Sequence, residues 1–277
     1  MFKNYLIAKE KFKPDYFLYE NNKSAAQPIK NQISHELGVD LQYINSALVS
    51  AQNRQRFYAH NIPNVKQPED RGILLCDIIK ETDLKPYNPK GKFTRIRDNL
   101  SNRYNGLYQV GYTDKNNGQA CRVYDIHGKS VTLRGEAGGG GGKTGIYMIN
   151  NIMYSLNQHG AAKLQTMPLD YANCVSDDTA CGLYGNGWTA EVIIHILKHM
   201  NISPDEPIEV LSMYDGIGTG RYCFDKLGYK NITYKAYEID KYAKQVANNN
   251  YPDIIECGDA FDLRNDDWCY NIKKLSA

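Results

Sequence analysis

Three glycines at alternate positions, set directly after an apolar run, are the residues in this sequence whose spacing speaks first of chemistry. Glu209-Val210-Leu211-Ser212-Met213-Tyr214 reads as a short strand, and Asp215-Gly216-Ile217-Gly218-Thr219-Gly220 comes directly after it. A turn of this kind lets the backbone approach a ligand closely, and a helix opening near Arg221 would aim its N-terminal N–H groups at that ligand. A second strand ends on Tyr237-Glu238-Ile239-Asp240, which places an acid about twenty residues beyond the glycines, where it can accept hydrogen bonds from ribose hydroxyls. Ile254-Ile255-Glu256-Cys257-Gly258-Asp259 offers a further acid at the tip of a third strand.

Two more groups could do chemistry. Glu20-Asn21-Asn22 closes an apolar run read as a strand over Asp15–Tyr19, and strand tips are where α/β enzymes place reactive groups. The plainer reading of Glu20 is an acid facing the dipole of the helix around Ile29 to Leu37. Further on, Gln52, Arg54 and Arg56 alternate, so in a strand they would share one face. Neighbouring guanidiniums repel unless an anion or a cluster of carbonyls sits opposite.

The elements that must position these groups are ordinary ones. A helix over Tyr5 to Ala8 ends by Lys13-Pro14, an extended run covers Leu41 to Val49, and a helix carries Val192, Ile193, Ile196 and Leu197 at helical spacing. The 277 residues can bury a sizeable core, and 42% hydrophobic with 23% charged residues is a globular composition. No apolar run approaches the roughly 18 residues of a membrane span, and the N-terminus has no signal-peptide pattern, so a cytoplasmic chain is expected. Seven cysteines without a Cys-x-x-Cys pair argue for reduced thiols and no metal site.

The glycine turn alone leaves a dinucleotide-binding Rossmann half open as a rival. The surrounding residues resemble something narrower. Ser212 to Gly220, then Tyr237-Glu238-Ile239-Asp240, then Gly258-Asp259 are similar to the first three motifs of DNA cytosine-5 methyltransferases. Glu20-Asn21-Asn22 resembles that family's Glu-Asn motif, and Gln52-x-Arg54-x-Arg56 matches its Gln-x-Arg-x-Arg motif. Lys163-Leu164-Gln165 resembles the ninth motif, although Tyr154-Ser155-Leu156-Asn157-Gln158 lacks the Arg-x-Leu-Thr-Pro expected before it. Gly185-Asn186-Gly187-Trp188-Thr189 resembles the tenth.

The resemblance implies an α/β, Rossmann-like S-adenosylmethionine-dependent methyltransferase sheet, permuted and possibly incomplete, with a smaller irregular target-recognition region. The cofactor would be S-adenosylmethionine, held by Tyr214, Asp215, Gly216, Ile217, Gly218, Gly220, Glu238, Ile239, Asp259, Ala260, Asn186 and Trp188. Glu20 would bond the ring nitrogen of a target cytosine and Arg56 its carbonyl oxygen, with Arg54 in support. Because the cofactor motifs come last, the order is that of a circular permutation. Three consecutive parts result: residues 1–80, the second half of the catalytic sheet; 81–165, target recognition; and 166–277, the cofactor part.

The recognition part reads as turn-rich and irregular from Glu81 to Asn150. Between Lys85 and Arg134 it holds ten Lys/Arg against three acids, a surplus of +7 in a chain whose net charge is only +2. Lys92, Arg95, Arg97, Arg103, Arg122, Lys129 and Arg134 are therefore candidates for contacts to double-stranded DNA, and a solvated basic face is the alternative. Ala137 to Thr144 satisfies a relaxed P-loop pattern, but the residues after Thr144 read as a strand where a phosphate site needs a helix. Gly128-Lys129-Ser130-Val131-Thr132-Leu133 resembles a passage of phage-type enzymes of the family.

One family feature is missing. The nucleophile is the Cys of a Pro-Cys loop, and this sequence has no Pro-Cys dipeptide. Carbon 5 of cytosine becomes nucleophilic only after a thiolate adds at carbon 6. A second polypeptide carrying that loop, with Trp268 to Ile272 as a stub of its strand, is one expectation. A non-catalytic relic that binds cofactor or DNA is the other.

Overall fold

The computed structural model describes residues 1–96, 103–104, 106–113, 117–136 and 141–264, with backbone alone for 103, 104 and 264. Contacts divide the chain into two compact units: Met1–Ile44 with Arg56–Lys66 and Ile194–Ala277, and Asn45–Gln55 with Gln67–Ile193.

In the first unit, helix α1 (Phe2–Phe12) stops where Lys13 turns left-handed at φ 43°, one residue ahead of Pro14, whose ring disfavours a helical neighbour. Strand β1 spans Leu18–Asn22, so Glu20 lies mid-strand and not at a strand tip. The Asp15–Phe17 stretch stays outside the ladder because the Asn61 side chain takes the Phe17 N–H and donates to the Asp15 carbonyl. Helix α2 (Gln27–Leu37) has Pro28 in its first turn and ends at Gly38, φ 69°. Strand β2 (Leu41–Asn45) is cut short by a 3-10 turn over Ser46–Leu48, because the Asn45 side chain caps it through the Ala47 N–H. Strand β3 is Gln55–His60, and the sheet order is β1-β3-β2. Phe57 and Ala59 pack on Ile33 and Leu37 of α2, so alternation turns Arg56 and Tyr58 to the other face.

A second sheet in the same unit is wholly parallel: β4 (Ile208–Met213), β5 (Ile232–Tyr237) and β6 (Ile255–Glu256), in that order. Helices α3 (Thr219–Lys226) and α4 (Lys241–Asn250) make the crossovers. This is the expected Rossmann-like α/β arrangement, with α3 starting two residues earlier than Arg221. Among the described residues β4 pairs only with β5, and β1 only with β3. Helix α1 packs on both sheets. Its Ile7 and Ala8 meet Leu211, Met213, Tyr237 and Leu263, while Phe2, Tyr5 and Leu6 join the β3 and α2 cluster. The expected stub, Trp268 to Ile272, lies outside the described residues.

The second unit holds a seven-stranded, mostly antiparallel sheet where the sequence suggests irregular structure. Its strands are short, and their turns rest on residues that tolerate positive φ. Asn150 and Asn151, at φ 49° and 63°, make a two-residue hairpin between Ile146–Ile149 and Ile152–Leu156. Behind Ala137 to Thr144, of which residues 137–140 lie outside the described set, comes the Ile146–Ile149 strand and no helix. Lys143 binds Asp178, and Thr144 exchanges hydrogen bonds with the Leu156 backbone, so both are structural. No helix among the described residues is long and apolar enough to cross a membrane.

The core of this unit contains a buried polar network. Gln52, Gln165, Ser46, Thr189 and Arg54 are each at most 3% exposed. Gln165 donates to the Tyr184 and Gly187 carbonyls and accepts from Gln52 and Thr189, which also bonds Ser46. Replacing Gln165 by Leu strands several of these partners in a dry interior. Each orphaned group costs about 1–3 kcal/mol, so the variant should lose roughly 2–4 kcal/mol after partial relaxation. Urea unfolding with an unchanged slope and a lowered midpoint is the expected result; an unchanged midpoint would show the network to be energetically idle.

Candidate functional site

Strand β4 delivers the glycine turn with an unusual backbone. Tyr214, Gly216 and Gly218 all have positive φ, at 60°, 66° and 77°. For the glycines this is free, while for Tyr214 the left-handed conformation costs roughly 1 kcal/mol or more. A side chain added at Gly216 would meet nothing within 4 Å, so the space over the turn is open. Ile217 is buried and anchors the turn, and Gly218 caps α3, with Gly220 buried in its first turn.

The two acids at the end of β5 separate cleanly. Asp240 caps α4, accepting from the Tyr242 and Ala243 N–H groups. Glu238 instead reaches across to the glycine turn, accepting the Gly216 N–H at 2.8 Å on one oxygen and the Ile239 and Asp240 N–H groups on the other. A carboxylate offers about four lone-pair sites, so three backbone bonds fix its orientation and leave capacity for one more donor. The next residue, Ile239, is 70% exposed, and Phe261, two residues beyond Asp259, is 47% exposed. Asp259 accepts the Phe261 N–H and shapes that turn, and Ala260 is buried behind it. Open space above glycines, a preset carboxylate and exposed apolar side chains fit a nucleoside-bearing cofactor.

Asp215 points the other way. Its carboxylate accepts from the buried Tyr234 hydroxyl at 2.7 Å, and desolvation raises its pKa to about 6, against hydrogen bonds that lower it. Its place is beneath the turn and not over it.

Glu20 and Arg56 form an ion pair. Glu20 stands opposite Tyr58 in the β1–β3 ladder, so Arg56 is its diagonal neighbour on the same face, with its Nε 2.7 Å from Glu20 Oε1. Side-chain exposures of 13% for Arg56 and 16% for Glu20 keep the pair reachable yet partly desolvated. The charge of Glu20 is met by Arg56. Glu20's neighbour Tyr19 packs its ring on Phe2 and Tyr5 of α1, and its hydroxyl feels Tyr214 electrostatically, so β1 and the glycine turn share one neighbourhood.

The second unit holds the remaining candidates. Arg54 does not share a face with Arg56: it lies before β3, and its guanidinium donates to the carbonyls of Leu133, Gly185 and Gly187. It therefore shapes the stretch bearing Asn186 and Trp188. Asn186 ends the helix Asp177–Asn186 against Gly135, and Trp188 is half-buried. Among the basic candidates, Lys92, Arg95 and Arg134 are exposed, Arg134 bonding Gln119, and Arg122 is half-buried against the Asn117 carbonyl. Arg97 and the Arg103 side chain lie outside the described residues. Lys129 is a correction: it is 8% exposed, and its ammonium donates to the carbonyls of Ala47, Ser50 and Ile73. Burial lowers its pKa, and it presents no charge to a phosphate.

A nucleophilic cysteine has a lowered pKa. Burial instead raises Cys76, Cys257 and, to about 12, Cys181. The residues that sequence reasoning missed are Asn4, Tyr5 and Tyr19. Asn4 falls on the same stripe as Ile7 and Ala8, at i, i+3 and i+4, and a polar residue on an apolar stripe was the available signal.

No protein-family model and no curated protein matches the sequence. Solved structures are similar to it, among them two Dnmt2 proteins. One is the Dnmt2 methyltransferase of S. pombe, with a TM-score of 0.41, 13% identity, 68% of this chain covered and 69% of that one. The other is a mutant DNMT2 of Spodoptera frugiperda, with a TM-score of 0.40, 16% identity, 67% of this chain and 66% of that one. This chain thus spans about two thirds of each. Likenesses of that size decide nothing, and function has to be read from the chain's own residues.

The Asp215 shift sets a pH dependence. A carboxyl raised from 3.8 to about 6 binds its proton more tightly when folded, so its contribution to stability declines as pH rises from about 4 to about 6. Asp215→Asn, which keeps an acceptor for Tyr234, should remove that decline, gaining about 1–3 kcal/mol on the wild type between pH 4 and pH 7. Urea midpoints of the two proteins that run parallel across this range would refute it.

Proposed function

We propose that this chain is the cofactor-holding and target-holding portion of an S-adenosylmethionine-dependent DNA cytosine-5 methyltransferase, circularly permuted, whose nucleophilic cysteine is carried by another segment or polypeptide. The observation that carries the reading is the Glu20–Arg56 pair standing in the same unit as a positive-φ turn whose Gly216 N–H is held by Glu238.

Tyr214, Gly216, Gly218, Glu238, Ile239 and Asp259 would hold the cofactor. S-adenosylmethionine supplies an electrophilic methyl group. Glu238 would accept one ribose hydroxyl with its remaining lone-pair capacity, and the exposed Ile239 would offer an apolar face to the adenine. A cytosine flipped out of the duplex meets Glu20 at its ring nitrogen and Arg56 at its carbonyl oxygen. The Arg56 guanidinium keeps Glu20 oriented, and a Glu20 that takes up a proton as the target enters would donate it toward the ring nitrogen, drawing electron density from the ring so that carbon 6 accepts a thiolate. Lys92, Arg95, Arg122 and Arg134 contribute phosphate contacts, which makes duplex binding depend on salt.

The split is supported by two features. The sequence has no Pro-Cys dipeptide, and β1 and β4 are both edge strands among the described residues, where a further strand could be added. A second reading, a binding protein with no transferase activity of its own, is favoured by the same missing cysteine.

Calorimetry with S-adenosylhomocysteine, NAD and ATP tests the cofactor assignment. Binding of S-adenosylhomocysteine alone is expected, with Glu238→Ala weakening it by about ten-fold or more through loss of charged hydrogen bonds. Binding of NAD or ATP in its place would overturn the reading.

A further inference from the structure

Tyr214 is the only non-glycine of the three positive-φ residues in the glycine turn, and something outside the turn must stabilise that conformation. The structure shows a partner. Asn4, in the first turn of α1 and fully buried, donates from its side-chain amide to the Tyr214 hydroxyl at 2.8 Å. The contact spans nearly the whole sequence, and Asn4 sits on the α1 face that packs through Ile7 and Ala8 on Leu211 and Met213 of β4. A buried amide is placed on an apolar helix stripe only if its hydrogen bonds are met there, so the stripe and the turn fix each other. The neighbouring Tyr5 of α1 packs its ring 5.1 Å from that of Tyr19, the residue before Glu20. One turn of helix thus touches both the glycine turn and the strand that carries Glu20.

We propose that Asn4 is a positioning residue for the cofactor site: its hydrogen bond to Tyr214 holds the turn in its ligand-ready conformation. The part concerning cofactor rests on the function proposed above, whereas the part concerning the turn does not.

Two variants test it in the full chain. Tyr214→Phe removes only the hydroxyl, and Asn4→Ala removes the amide that donates to it, so hydrogen exchange of residues 214–218 should accelerate in each by about five-fold, the size of one net hydrogen bond. The double variant should exchange no faster than either single one, and residues 57–59 of β3 should be unchanged. S-adenosylhomocysteine affinity should fall with the same non-additive pattern. Unchanged exchange at 214–218 in Tyr214→Phe, or additive losses in the double variant, would overturn the proposal. If the wild type binds no S-adenosylhomocysteine while the exchange pattern holds, the function is wrong and the positioning role stands.

Discussion

Backbone hydrogen bonding is the constraint on which the first unit turns. Its two three-stranded sheets share no ladder among the described residues, and β1 and β4 each stand at an edge. What joins them is side-chain packing: α1 lays Ile7 and Ala8 on one sheet and Phe2, Tyr5 and Leu6 on the other. Packing of this kind is non-directional and buries apolar area, and among the described residues β1 and β4 each keep one side without a neighbouring strand. An arrangement with an apolar cover over an edge strand is suited to receive an extended segment, and β4 is the strand that feeds the glycine turn.

The second unit meets its polar groups in the opposite way. Gln52, Arg54 and Gln165 turn inward and answer carbonyls of three separate stretches, among them Leu133, Leu164, Tyr184 and Gly187. A fully satisfied buried network costs little net stability and specifies one arrangement, whereas any broken member leaves partners orphaned. The stretch from Gly185 to Thr189 is therefore held from behind, with Trp188 left half-buried.

Much of this is legible in the sequence because the signals are local. The glycine spacing, the acid after β5 and the helix that stops before Pro14 each obey short-range rules, and each stands where those rules put it. Register is not legible. Glu20 sits mid-strand because Asn61, far along the chain, satisfies the backbone at Asp15 and Phe17. Arg54 and Arg56 read as a pair on one face, yet the chain enters β3 only at Gln55, so one guanidinium serves a buried carbonyl cluster and the other an acid. Lys129 lies in a basic run and reads as a surface charge, because composition cannot register three carbonyls arriving from Ala47, Ser50 and Ile73. The recognition region reads as irregular because its strands are too short for periodicity to show.

The central claim is that the chemistry waits on a cysteine this chain does not supply, and covalent trapping on a DNA duplex containing 5-fluorocytosine tests it most directly. With S-adenosylmethionine present, the account predicts no adduct from the chain alone and an adduct once a Pro-Cys segment is co-expressed, mapping to the supplied cysteine. An adduct formed by the chain alone on one of its own seven cysteines would contradict it.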